Sequence, residues 1–191
     1  LNRHLAPCLA IVALVGCAGS ATPESDRFIT TSTGDRLPIQ EFKPDGQGPF
    51  PAVVILHDCS GLGPNSSGAP RRWAGELVAR GYVVLIPDSF TPRGHASGVC
   101  TVPLRLRNAD VGPATRARDA HAALAHVRTL PYVDSLRVGV MGGSHGGSST
   151  LAAMAAPQDA DGQKGFAAGV ALYPACAGAP RVPEGRVYRP A

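Results

Sequence analysis

The sequence predicts an α/β fold, a mainly parallel sheet with helices on both faces. Three observations predict it. Four short apolar runs, at residues 52–56, 82–86, 137–141 and 169–173, lack the polar alternation of a half-exposed strand. Helical patterns at 71–80, 113–129 and 148–156 alternate with them. The third observation is the stretch Gly142-Gly143-Ser144-His145-Gly146-Gly147, nearly all glycine, where a strand hands over to a helix. Buried strands alternating with helices imply parallel neighbours joined by crossovers. In such sheets, sites lie beyond the carboxyl ends of the strands.

Each element has its own reason. Residues 27–31 and 37–43 read as two strands, and Ser32-Thr33-Gly34-Asp35 between them as the turn of a hairpin. Residues 44–51 form a loop rich in Gly and Pro. Ala52-Val53-Val54-Ile55-Leu56 is a strand apolar on both faces. The helix at 71–80 places Trp73, Leu77 and Val78 on one side, and Gly81 ends it. Tyr82-Val83-Val84-Leu85-Ile86 is a second buried strand, closed by Pro87-Asp88. A long irregular excursion occupies residues 89–108. The helix at 113–129 carries an apolar stripe of Ala120, Leu124 and Val127, and Pro131 stops it. The glycine-rich turn follows, then a last strand at 169–173 and a Pro/Gly-rich end. The carboxyl edge thereby collects His57-Asp58-Cys59, Pro87-Asp88-Ser89, Ser144-His145 and Tyr173-Pro174.

The 191 residues suffice for one domain with a real core, and 44% of them are apolar. The formal charge of +4, from 18 basic and 14 acidic residues, is scattered without a basic run, so no nucleic-acid surface is expected. The chain begins with Leu. Asn2-Arg3-His4 followed by an apolar run at 5–15 reads as a targeting segment too short to span a bilayer. Leu14-Val15-Gly16-Cys17 resembles a bacterial lipobox, in which the cysteine is lipidated. The expected division is a lipoprotein signal peptide at 1–16, a polar tether at 17–26 and the domain at 27–191. That places the protein outside the cytoplasm, anchored to a bacterial membrane surface by lipid on Cys17. An ordinary secretory signal or a buried helix is the alternative. Beyond Cys8 and Cys17, three cysteines remain for an oxidising compartment. Cys100 and Cys176 both fall in carboxyl-edge loops and are expected to pair, leaving Cys59 free; three free thiols is the alternative. No Cys-x-x-Cys or zinc-type spacing occurs, so no metal is expected.

Gly142-x-Ser144-x-Gly146 matches the nucleophile elbow, a strained strand-to-helix turn that lifts a serine Oγ clear of the sheet. Residues flanking so tight an apex need to lack a Cβ. The following helix aims its N-terminal amides at the same spot. The competing reading is a flexible Gly/Ser loop. A phosphate loop fits worse, because no Gly-Lys-[Ser/Thr] follows.

These edge residues together resemble the dienelactone hydrolase branch of the α/β-hydrolase fold. The resemblance covers residues 50–176. It rests on Val54-Ile55-Leu56-His57-Asp58-Cys59-Ser60-Gly61-Leu62, on Gly81-Tyr82 running into Pro87-Asp88, and on the elbow. It implies that Ser144 is the nucleophile and that the backbone N–H groups of His145 and Cys59 form the oxyanion hole. It places Asp58 where relatives often carry an acidic residue near the nucleophile. Arg93 falls about one position beyond an arginine that binds a substrate carboxylate in the family's namesake, which itself uses a cysteine where Ser144 stands. A solvated loop arginine is the other reading of Arg93.

The fold places its triad acid and then its histidine after the Tyr173-Pro174 region. Here no histidine follows His145, and Asp159, Asp161 and Glu184 are the only later carboxylates. Residues 186–191 resemble the lead-in to the strand before the acid. The chain is therefore expected to be the N-terminal two-thirds or so of a hydrolase, marginally stable, with residues 169–173 as an uncovered edge strand. Among upstream histidines, His57 is expected to brace the oxyanion loop and His145 to turn away from Ser144. His121 and His126 are expected to be ordinary helix residues. His95, in the 89–108 excursion, is the one candidate base.

Two classes of function follow. One is a lipid-anchored serine hydrolase that cleaves a small-molecule ester, lactone or thioester through an acyl-enzyme on Ser144, close to inactive as this chain stands. That chemistry needs no organic cofactor. A related hydrolase of peptides or acyl esters is its variant. The other is a non-catalytic lipoprotein, a binding module on the same fold.

Overall fold

The computed structural model describes residues 27–103, 109–155 and 165–175. The targeting segment, the tether with Cys17, Cys176 and residues 177–191 lie outside the described residues.

The described strands form one six-stranded mixed sheet. In chain order they are β1 (Arg27–Thr30), β2 (Arg36–Phe42), β3 (Phe50–Leu56), β4 (Val83–Pro87), β5 (Val133–Gly143) and β6 (Ala168–Leu172). The helices are α1 (Ala69–Val78), α2 (Pro113–Val127) and α3 (His145–Ala155), with a 3-10 turn at Thr91–Arg93. Spatially the order is β1-β2-β4-β3-β5-β6. The hairpin β1–β2 joins β4 antiparallel, while β4, β3, β5 and β6 run parallel.

Successive side chains of a strand face opposite ways. Val54 and Leu56 of β3 therefore join Leu85, Val138 and Val140 in the core against α2 and α3. Ile55 joins Val84, Ile86 and Met141 on the other face, beneath Ala74 of α1. All five residues of β4 are buried, so its continuous apolar run is explained by cover on both sides.

Three expectations shift. In α1 the buried positions are Pro70 and Ala74, and Trp73 is 45% exposed, because the helix starts at Ala69 and turns its small residues to the sheet. β5 begins at Val133, earlier than its apolar run, since Val133 pairs with Phe50 before the register shifts; pairing resumes at Val138, and residues 135–137 between them stand exposed. α3 begins at His145, so Gly146 and Gly147 lie inside the helix rather than in a loop. Close approach of other backbone explains them, as shown below. β6 pairs only with β5 among the described strands, and Val170 and Tyr173 stand 51% and 72% exposed. No helix of the described residues is long and apolar enough to cross a membrane.

Candidate active site

β5 and α3 build the elbow. Ser144 sits at its apex with φ 54°, a left-handed conformation that a residue with a Cβ seldom adopts. The Ser144 N–H donates to Leu172 O at the end of β6, 3.0 Å away. Its carbonyl accepts the first helical hydrogen bond, from Ser148 N–H at 3.0 Å. The glycines are demanded by contact. A Cβ on Gly146 would stand 2.0 Å from Leu56 O, and one on Gly142 would stand 2.5 Å from the Gly146 carbonyl carbon. The helix end is thus pressed against the end of β3 with no room for a side chain.

Register places the second turn beside the first. Leu56, the last residue of β3, pairs with Gly142 of β5. His57-Asp58-Cys59 therefore leaves the sheet at the level of Gly143-Ser144-His145. Asp58 shapes that exit. Its carboxylate accepts hydrogen bonds from the Ser60 N–H at 2.8 Å, from the Ser60 hydroxyl, and from the Ser67 hydroxyl at 2.6 Å. Burial raises the Asp58 pKa, but these bonds outweigh it, and the net shift is downward. Asp58 is also part of a cleft on the α1 side with Ile55, Trp73, Met141, Gly143 and Tyr173.

Behind both turns lies a buried cluster. His57 is fully buried; its Nδ1 lies 2.9 Å from Asp58 O, and its Nε2 lies 3.3 Å from the Ser89 N–H. Those partners assign the proton to Nδ1 and leave Nε2 as acceptor. His57 so ties the end of β3 to the end of β4. Phe90 stands edge-on between the His57 ring, centroids 4.4 Å apart, and the His145 ring, 5.7 Å apart. Arg116 of α2 is fully buried over Phe90, 5.1 Å from the ring centroid. It donates to His57 O at 2.8 Å and to His145 Nδ1 at 2.8 Å. Burial pulls its pKa down to about 10, with Asp119 and Asp58 holding it up, so it remains a cation at neutral pH.

Burial first, then the Arg116 cation and His145, hold His57 well below its ordinary value of 6.5. The sign for stability follows. The unfolded chain takes up this proton near pH 6.5 and the folded one does not, so stability present above that pH is lost as pH falls. One such proton is worth up to about 1.4 kcal/mol per pH unit. Half-buried His126 acts in the same direction. The urea midpoint is expected to fall between pH 7 and pH 5, with a gentler slope in His57→Asn. Equal slopes for both proteins would exclude a buried neutral His57.

Arg93 is occupied. It forms a two-pronged pair with the buried Asp119 carboxylate at 2.7 and 2.9 Å, a third bond to Asp35 at 2.7 Å, and a bond to Ser89 O at 2.9 Å. Burial opposes its charge, but Asp119 and Asp35 outweigh it, and its pKa is raised. It is neither a solvated loop arginine nor a free anion binder: it ties the β1–β2 turn and the β4 loop to α2. His95 lies in the same loop, with Nε2 3.5 Å from Asp110. His121 Nε2 reaches Ala153 O at 3.1 Å. No histidine among the described residues hydrogen-bonds to Ser144 Oγ.

The cysteine expectation is corrected. Cys59 is bonded to Cys100, with Cα atoms 4.9 Å apart, so Cys59 is not free and Cys100 does not pair with Cys176. The reason is the path of the loop after β4. It folds back over the turn after β3, where Val99 N–H donates to Cys59 O at 2.7 Å. A Cβ on Gly98 would stand 2.8 Å from Cys59 O, and one on Gly63 would stand 2.1 Å from Ala96 O.

Sequence reasoning missed Arg116, Phe90 and Asp119. For Arg116 a signal existed. It lies four residues before Ala120, on the stripe that continues through Leu124 and Val127, and a charged residue on an apolar stripe asks for buried partners.

The chain is similar to known proteins in sequence and in fold. An uncharacterized Escherichia coli protein, YcjY, is 32% identical over 110 residues, 58% of this chain. This chain spans about a third of that relative's length, the aligned share being 32%. The crystal structure of Porphyromonas gingivalis dipeptidyl peptidase 4 superposes with a TM-score of 0.57 at 25% identity, over 81% of this chain and 21% of that one. A putative dienelactone hydrolase from Klebsiella pneumoniae gives 0.57 at 19% identity, over 85% of this chain and 63% of that one, and shows the shared fold. The model of the dienelactone hydrolase family matches residues 40–184, most of the chain, and the chain belongs to the dienelactone hydrolase family.

Proposed function

We propose that this chain carries the nucleophile and the oxyanion hole of a serine hydrolase acting on a carboxylic ester, lactone or thioester. The observation that carries the reading is Ser144 at φ 54°, packed between glycines that admit no Cβ. Such strain persists only where surrounding structure enforces it, and it clusters at functional sites. In the proposed reaction Ser144 Oγ adds to the carbonyl carbon, and the Cys59 and His145 N–H groups receive the developing oxyanion. Collapse expels the alcohol or thiol, leaving an acyl-enzyme, and water then releases the acid. The proton leaving Oγ passes through a base to the departing group.

Two histidines are unsuited to be that base. Both ring nitrogens of His57 are engaged, and the buried His145 gives its Nδ1 to Arg116. His95, beside Asp110 on the same sheet edge, is the candidate to test. Otherwise the acid and base lie outside the described residues, and turnover by this chain alone is slow, resting on binding and the oxyanion hole. The lack of a histidine at Ser144 Oγ among the described residues favours, as second reading, a non-catalytic module on the same fold.

Labelling with a fluorophosphonate decides between them. Slow covalent labelling confined to Ser144, and abolished in Ser144→Ala, is expected. A folded chain that takes no label would leave only the second reading. An unchanged rate in His95→Ala would remove His95 as base.

A further inference from the structure

Arg116 is an unusual residue to bury. It is 0% exposed, and it forms no ion pair with a carboxylate among the described residues. Its Nε has no hydrogen-bond partner. A buried cation held this way is costly, and an apolar side chain would fill the same place at less cost. Its neighbour Asp119, one turn further along α2, is committed to Arg93.

The two acceptors that Arg116 does reach are informative. One is the carbonyl of His57, two residues before Cys59. The other is Nδ1 of His145, the residue directly after Ser144. The planar guanidinium therefore bridges the two turns proposed to bear the oxyanion donors, and the Phe90 ring lies against it, 5.1 Å from ring centroid to guanidinium carbon. An arginine has only donors, so His145 Nδ1 must accept, and the His145 proton resides on Nε2.

We propose that Arg116 is the positioning residue of the oxyanion hole: it holds the β3 turn and the elbow at a set spacing and locks His145 in its Nε2–H form. The inference rests on the reading of Ser144 as nucleophile for its catalytic consequence, but the locking of His145 is a property of the fold alone. Arginine suits the task because two parallel N–H groups reach two acceptors at once. A lysine reaches one of them and leaves the other turn untied.

The test uses Arg116→Lys and Arg116→Met in the full chain, with two readouts. The first is the rate of fluorophosphonate labelling at Ser144, normalised to the folded fraction. A fall on the order of 10- to 100-fold is expected in Arg116→Met, with Arg116→Lys in between, somewhat less than removal of an entire oxyanion donor. The second is the ¹⁵N signal of the His145 ring. The wild type is expected to show an unprotonated Nδ1 and a protonated Nε2, and the variants a mixed or titrating ring. Folded variants with labelling within about twofold of wild type would overturn the catalytic consequence, and an unaltered His145 ring would overturn the proposal as a whole. If Arg116→Met does not fold, Arg116→Lys decides on the same two criteria. If the wild type takes no label, the nucleophile reading fails by itself, and the His145 signal still decides the role of Arg116.

Discussion

Gly146→Val is expected to destabilise the protein by at least about 3 kcal/mol, a large share of a domain's typical 5–15 kcal/mol. The new Cβ would lie 2.0 Å from Leu56 O and 2.8 Å from His57 O, both backbone atoms that cannot rotate away. Relief requires α3 to lift from the end of β3. That would also shift Ser144, whose carbonyl anchors the helix through Ser148 N–H. Gly75 provides the contrast. It lies inside α1, and a Cβ there meets nothing within 4 Å. Gly75→Ala is expected to gain up to about 1 kcal/mol from helix propensity alone. Urea denaturation of the two variants measures both effects. Similar midpoints for Gly146→Val and the wild type would mean that the elbow is not packed as described.

Opening the Cys59–Cys100 disulfide is expected to cost about 2–4 kcal/mol and to loosen the turn after β3. The bridge spans 41 residues of sequence, so breaking it frees a long loop in the unfolded chain. Cys100→Ser and dithiothreitol-treated wild type should show the same lowered midpoint, and dithiothreitol should do nothing further to the variant. A midpoint insensitive to reductant would show that the bridge does not form. The bridge also has a local consequence. Cys59 is held from one side by Cys100 and by Val99 N–H, and the Arg116 bond to His57 O holds the same turn from behind. If the Cys59 N–H is an oxyanion donor, covalent attachment of its own side chain limits the reorganisation it can undergo, which is what preorganisation requires.

The site was partly legible. Ser144 stood out because an elbow needs glycines at fixed offsets, and local sequence records that need. The bracing role expected of His57 matches its two ring contacts, since a histidine ending an apolar strand is bound to be buried and must find partners. Arg93 was harder. Whether a loop arginine is solvated depends on what the loop meets, and its partners Asp35 and Asp119 lie 58 and 26 residues away. The cysteines failed for the same reason. Two loops at one sheet edge are equally near in a diagram of the fold, and only the return of residues 94–100 over the β3 turn selects Cys59 for Cys100.

What the sequence determined by itself was the layer order: apolar strands, the alternation with helices, the hairpin at the start and the glycine elbow. Those follow from periodicity and from backbone sterics, which act over a few residues. Tertiary structure alone decided which charged and sulfur-bearing side chains meet. Arg116 joins two turns that are 88 residues apart in sequence because β3 and β5 are neighbours in the sheet and α2 crosses behind them. Such pairings depend on which segments pack together, and residues that pair across 26 to 59 positions leave little local trace of one another.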